Sequence, residues 1–235
     1  MKSSLLSHVL CVIVLLGRTA SAQENIADLP RRIADSYGSK SFSDVSKIRY
    51  TFNVLHDTAQ MSRSWLWEPK LNRVTLQNSP GQDKPVTYIR AKPGDTLPAP
   101  QRQIDKMFIN DQYWFLFPFH LVWDSMVTIS VKEDQPLPIG KGSMTQVTVA
   151  YPKSGGYTPG DAFDLFIDKS YRIAQWRYWR GGEKMLMTSA WEKYSSAGPF
   201  LFSLDRPGGA KNFRVWFTGV GVMIDKTDSW LEPKQ

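Results

Sequence analysis

Apolar and polar positions alternate through most of this chain with the period of two that a β-strand imposes. Ile48, Tyr50, Phe52 and Val54 fall on one face of a predicted strand over 47–55, and Trp65 and Trp67 on one face of another over 63–67. Further strands are predicted over 73–76, 86–91, 127–131, 145–151, 163–167, 172–179, 185–191, 199–204 and 213–217, with Gly, Pro, Asn and Asp turn signals between them. Segment 113–123 is apolar on both faces, with Phe115, Phe117 and Phe119 at alternate positions. It reads as a strand covered from both sides, bent or placed at an edge by Pro118.

Helical spacing is confined to two places. Ile26, Leu29, Ile33 and Tyr37 recur at threes and fours behind Asp28-Leu29-Pro30, a good helix start, and Gly38 can close the helix. A short second helix over 101–108 would present Ile104, Met107 and Phe108. No repeat, low-complexity tract or linker divides the chain. The pattern predicts one mostly β (α+β) domain of ten to eleven strands and one or two helices, spanning 23–235.

The first 22 residues are set apart from that domain. Met1-Lys2, the apolar run 9–16 and Ala20-Ser21-Ala22 are the three parts of a cleavable secretory signal, with cleavage expected before Gln23. The apolar run is too short to span a bilayer. Cys11, the only cysteine, lies inside it, so the expected mature chain has neither a disulfide nor a thiolate metal site. Loss of Lys2 and Arg18 lowers the net charge from +7 to +5, a modest excess compatible with a solubilising surface or with contact to an anionic membrane. A periplasmic location follows as the expectation.

What remains unusual is the aromatic content, 9 Trp, 9 Tyr and 12 Phe. Large rings on one curved sheet are hard to pack densely without helices on top. An apolar cavity lined by Trp65, Trp67, Tyr88, Phe115, Phe117, Trp176, Tyr178 and Trp191 is therefore expected. Each ring read alone is as well explained by core packing. Met107, Met126, Met185 and Met187 would let such a pocket adapt to its ligand, or would merely fill gaps.

Catalytic chemistry finds little support. His120 and Asp124, taken as strand residues, would lie about 13 Å apart, too far to share an ion, and no metal or cofactor is expected. Asp161, Asp164 and Asp168 form an acidic cluster of the kind that serves glycoside cleavage, yet aspartates beside a hairpin are usually turn formers. Arg172, Arg177 and Arg180 interleave with Tyr171, Trp176, Tyr178 and Trp179. Such a pattern can stack on nucleic acid, but export argues against that partner, and cation–π pairing within the sheet explains it.

The order of elements resembles the periplasmic lipoprotein-carrier superfamily, the LolA/LolB-like fold, in its outer-membrane lipoprotein-sorting-like branch. An N-terminal helix precedes the strand Ile48-Arg49-Tyr50-Thr51-Phe52. Trp65 to Arg73, through Glu68-Pro69-Lys70, is similar to the family's strand, basic-Pro turn and next strand. Asn110-Asp111-Gln112-Tyr113-Trp114-Phe115-Leu116-Phe117-Pro118 looks like its Asp-Gly-x-x-Trp-x-Tyr-x-Pro segment, and 164–168 with 173–176 like its hairpin. The resemblance implies an open, incomplete antiparallel β-barrel of about eleven strands, capped by helices over an apolar cavity. It further implies a monomeric carrier of a lipid, acyl chain or lipoprotein, with a membrane-bound donor or acceptor protein and no catalysis. One departure matters: the carriers place an arginine before the turn proline, where this chain has Glu68. Readings from other classes are a secreted carbohydrate-binding module using exposed rings and, third, a hydrolase built on the acidic cluster.

Overall fold

The computed structural model describes residues 28–234 apart from positions 82, 92–94, 157, 211, 226 and 228. The expected signal segment, its cleavage point and Ile26 lie outside the described residues. Residues 28–36 are helical (α1) and lead through a 3-10 turn, Ser39–Asp44, into the first sheet. That sheet has seven antiparallel strands: β1 Val45–His56, β2 Ala59–Glu68, β3 Arg73–Asn78, β4 Val86–Ile89, β10 Glu192–Ala197, β11 Phe200–Pro207 and β12 Phe213–Ile224. Their spatial order is β10-β11-β12-β1-β2-β3-β4. The second sheet has five strands in sequential order: β5 Thr128–Pro136, β6 Ser143–Ala150, β7 Ala162–Ile167, β8 Ile173–Arg180 and β9 Lys184–Ala190.

The two sheets meet where β9 runs into β10. Ser189 bridges Gly208, and the Gly209 N–H donates to the Thr188 carbonyl at 2.9 Å. On the other side β4 and β5 are unpaired edges, so the barrel stays open there. Curvature has local causes. Opposite Tyr50, β12 inserts an extra residue between its pairings to Arg49 and Thr51, and Gly219 takes the left-handed conformation (φ 60°). This is a bulge that bends the strand and adds twist.

The chain joining the open edges is a second helix, α2, Ala99–Trp123. This corrects two expectations at once: the short helix over 101–108 continues for 25 residues, and the strand over 113–123 does not exist. Phe115, Phe117 and Phe119 sit on a helix, not on one strand face. The run is apolar all round because α2 lies between the two sheets and is covered on both sides, the condition in which a helix loses its polar stripe. Phe115 packs on Tyr50, Phe202 and Phe217 of the first sheet, while Phe117 packs on Phe163 and Trp176 of the second. Pro118 is accommodated by a kink at Leu116 (φ −115°, ψ 20°). A strand that the sequence pattern does not announce, β10, has the polar sequence EKYSSA and carries no alternating apolar signal.

α1 closes one end of the barrel with Ile33, Ala34 and Tyr37 buried. The Tyr37 hydroxyl accepts from the Ile173 N–H at 2.9 Å and lies 2.7 Å from the Tyr194 hydroxyl, which donates to the Ile173 carbonyl at 2.6 Å. Two tyrosines thereby satisfy the first residue of β8 and join α1 to both sheets. Burial raises Tyr37 and pushes Tyr194 up to about 12, so both remain protonated. Gly38 must be glycine: its φ is 92°, and a Cβ there would stand 2.3 Å from the Pro199 carbonyl oxygen.

Candidate functional site

Three aspartates along α2 fix its position. Asp105 accepts from Tyr88 (3.0 Å) and Arg90 (2.8 Å) beside β4. One and a half turns on, Asp111 accepts two bonds from Arg63 of β2 (2.7 and 2.5 Å) and one from the Trp65 indole (2.8 Å). Asp111 has no exposed surface, and burial raises its carboxyl even though Arg63 opposes that shift. At the far end, Asp124 accepts from the Tyr113 hydroxyl (2.9 Å), the Tyr151 hydroxyl (2.7 Å) and His120 Nδ1 (3.0 Å). Burial alone would raise the Asp124 carboxyl, but the bonds from His120, Tyr151 and Tyr113 outweigh it and hold it below the ordinary carboxylate range. Burial, with the adjacent carboxylate, pushes Tyr113 and Tyr151 upward, so both hydroxyls act as donors.

With α2 pinned in this way, it does not fill the space between the sheets completely. A cavity of about 580 Å³ remains against the second sheet. Lys106, Ile109, Asn110, Tyr113 and Trp114 face it from the helix, a stripe at the spacing of one helical face. Phe163, Trp176, Tyr178, Leu186 and Met187 form the opposite wall, and Thr158, Asp161 and Arg180 stand among them as polar groups. The volume is within the range that holds small organic ligands.

A second cavity, about 320 Å³, adjoins the first, with Ile109 and Tyr113 as a shared wall. Phe42, Trp67, Arg90, Gln112, His120, Trp123 and Asp124 complete it. Arg90 and Asp124 flank the unpaired edges β4 and β5, so this space lies next to the break in the barrel.

The eight rings expected to line one hollow are divided among three places. Trp176 and Tyr178 line the larger cavity and Trp67 the smaller. Trp65, Tyr88, Phe115, Phe117 and Trp191 are buried in the core, with Phe117 against Phe163 and Trp176 of the second sheet. Sequence reasoning missed the α2 stripe and the pair His120–Asp124. The expectation that 120 and 124 stand far apart is corrected: helical i,i+4 geometry brings them into hydrogen-bond contact. Of the four methionines, Met187 lines the larger cavity, whereas Met126 and Met185 are exposed.

The acidic cluster also separates. Asp164 points to the far side of β7, where Thr148 (2.6 Å), Trp179 (2.8 Å) and Gln146 (3.0 Å) donate to it. Asp168 accepts the backbone N–H groups of Ser170 and Arg172 as a turn former. Asp161 binds the Tyr178 hydroxyl and the Gly181 N–H. Two carboxylates flanking a common substrate position are therefore lacking among these three. The tryptophans at 65, 67, 176 and 191 are buried, unlike the exposed platform a sugar binder needs. Arg177 lies over Phe166 and Trp179, and Arg172 over Tyr194, the cation–π pairing expected of them. Glu68 is engaged by Arg73 across the β2–β3 turn at 2.5 and 2.7 Å. Among the described residues no group of three His, Cys, Asp or Glu side chains is arranged to hold a metal, and no helix is long and apolar enough to cross a membrane.

Comparison with solved structures places this architecture. A LolA superfamily protein from Nitrosomonas europaea superposes with a TM-score of 0.52 at 8% identity, over 83% of this chain and 92% of that one. A DUF1329 family protein from Desulfovibrio piger superposes with a TM-score of 0.45 (8% identity, 87% and 95% covered), and a putative outer membrane lipoprotein-sorting protein domain from Vibrio parahaemolyticus with 0.39 (9%, 77% and 87%). No family model matches the sequence, and no curated protein does so either. The fold is LolA-like: an open, two-sheet antiparallel half-barrel around a central helix.

Proposed function

We propose that this protein binds a lipid or acylated ligand without chemistry, as an exported periplasmic carrier. The observation that carries the reading is the 580 Å³ cavity, whose walls are largely apolar side chains of α2 and the second sheet. Burial contributes about 0.8 kcal/mol per methylene, so a hydrocarbon chain can be held there with few polar contacts. The LolA-like fold supports the same reading, since the Nitrosomonas europaea structure on which the chain superposes is a LolA superfamily protein. Lipoproteins, or a membrane-bound donor or acceptor, are the partners this function implies. The acyl chain would enter between α2 and β7–β9, with Trp176, Tyr178 and Met187 as its contacts.

The test is uptake of a dansyl-labelled undecanoic acid by the purified mature protein. Filling the cavity with Met187→Trp should weaken uptake at least tenfold while changing the melting temperature little, because Met187 is only partly buried. Equal uptake by the filled variant, or none by the unaltered protein, would refute the assignment.

A further inference from the structure

The smaller cavity has a character that an acyl-chain site does not need. His120 is 7% exposed in its side chain, lines this space, and lies stacked on Tyr113 with ring centroids 4.0 Å apart. Its Nδ1 is 3.0 Å from the Asp124 carboxylate, but its Nε2 is screened from solvent and has no hydrogen-bond partner. A buried polar atom without a partner is costly to fold around, and a ligand group is one of the things that can satisfy it. Asp124, held ionised by its neighbours, can only accept. Nδ1 must therefore carry the proton in the neutral ring, which leaves Nε2 as an acceptor. Gln112, 3% exposed, adds a second buried polar side chain to the same lining.

Resting on the acyl-binding reading above, we propose that the two cavities form one bipartite site for an amphiphile. Its chain occupies the larger lobe, and a hydroxyl or amide N–H at its polar end donates to His120 Nε2 in the smaller. The shared wall of Ile109 and Tyr113 places the lobes side by side, and Phe42, Trp67 and Trp123 form the aromatic part of the smaller lobe's lining. A site built around an acceptor discriminates against a ligand that lacks the matching donor, because the acceptor is then left buried and unpaired. Asp124, Tyr113 and Tyr151 are positioning residues: they set the tautomer and hold the ring.

Displacement of the dansyl probe by monopalmitoylglycerol, which carries hydroxyl donors, and by methyl palmitate, which carries none, tests this. The ratio of the two affinities is compared between unaltered protein and variants, which cancels the different water solubilities of the two competitors. His120→Phe keeps a ring and removes the acceptor, and it should reduce the ratio about tenfold in favour of the ester. Asp124→Asn, in which the amide can donate to Nδ1 and so reverse the tautomer, should move the ratio the same way; it serves as the measurement if the first variant does not fold. An unchanged ratio in whichever of the two folds overturns the bipartite site while leaving acyl binding standing. Failure of both lipids and the probe to bind the unaltered protein overturns both.

Discussion

Arg206 Nη2 donates to the backbone carbonyl of Trp114 across 3.4 Å, and this is the oxygen that Pro118 deprives of its partner four residues on. The arginine has no exposed surface. Its Nη1 also binds the carbonyls of Ser203 (2.9 Å) and Asp205 (3.1 Å) and the Ser203 hydroxyl, and its guanidinium lies 3.5 Å from the centroid of Trp191. Burial brings it down to about 10, so it stays charged at neutral pH. One cation thus satisfies the break in α2 and caps the strand junction behind it.

Arg206→Ala should cost about 3 kcal/mol or more, since it empties a buried volume and leaves several carbonyls without donors. Pro118→Ala restores an N–H to the helix and should soften that loss, giving a coupling of about 1 kcal/mol in a double-mutant cycle. Chemical denaturation of the four proteins reads it directly. Strict additivity would mean that Arg206 supports the junction alone and not the kink.

The ion pair of Asp111 with Arg63 makes a sharper demand. Both side chains are nearly or wholly buried, and the Trp65 indole shares the carboxylate. Asp111→Ala leaves a cation in the interior with no counter-charge, a loss of about 3–5 kcal/mol. Denaturation midpoints should fall accordingly, and acyl-probe uptake should fall with them because α2 forms one wall of the cavity. A loss below about 1 kcal/mol would show that α2 keeps its place through aromatic packing alone.

Much of this architecture is written in the period of the chain. Strands with one buried face announce themselves: Ile48, Tyr50 and Phe52 alternate, and they are the inward residues of β1. α2 is hidden for a physical reason. A helix covered by a sheet on each side has no polar stripe, so its 3.6-residue period is erased, and Pro118 inside it mimics a strand bend. β10 is hidden for the opposite reason, having too few apolar residues to alternate. The candidate site lies on the misread element. Once 113–123 is helical, Lys106, Ile109, Asn110 and Tyr113 become one stripe, and His120 comes within reach of Asp124. Trp176 and Tyr178, on a strand that alternates plainly, line the larger cavity. Arg206 carries no sequence signal, because what makes it matter is an orphaned carbonyl 92 positions away.

Asp124 gives the end of α2 a dependence on acid. Its folded carboxyl lies below the ordinary value, with the bonds from His120, Tyr151 and Tyr113 prevailing over desolvation. A carboxyl depressed in the folded state binds its proton more readily in the unfolded chain. Its contribution to stability is therefore fully present above the unfolded value, about 3.9, and is lost as the pH falls toward the depressed folded one. The groups facing it are His120 and Tyr113 from α2 and Tyr151 just past the end of β6. Asp124→Asn cannot ionise, so its melting temperature should lie below that of the unaltered protein at about pH 5. The margin should close below about pH 4. A margin that persists undiminished at pH 3 would mean that the side chain acts through its shape and neutral hydrogen bonds, and that its charge contributes nothing to holding α2.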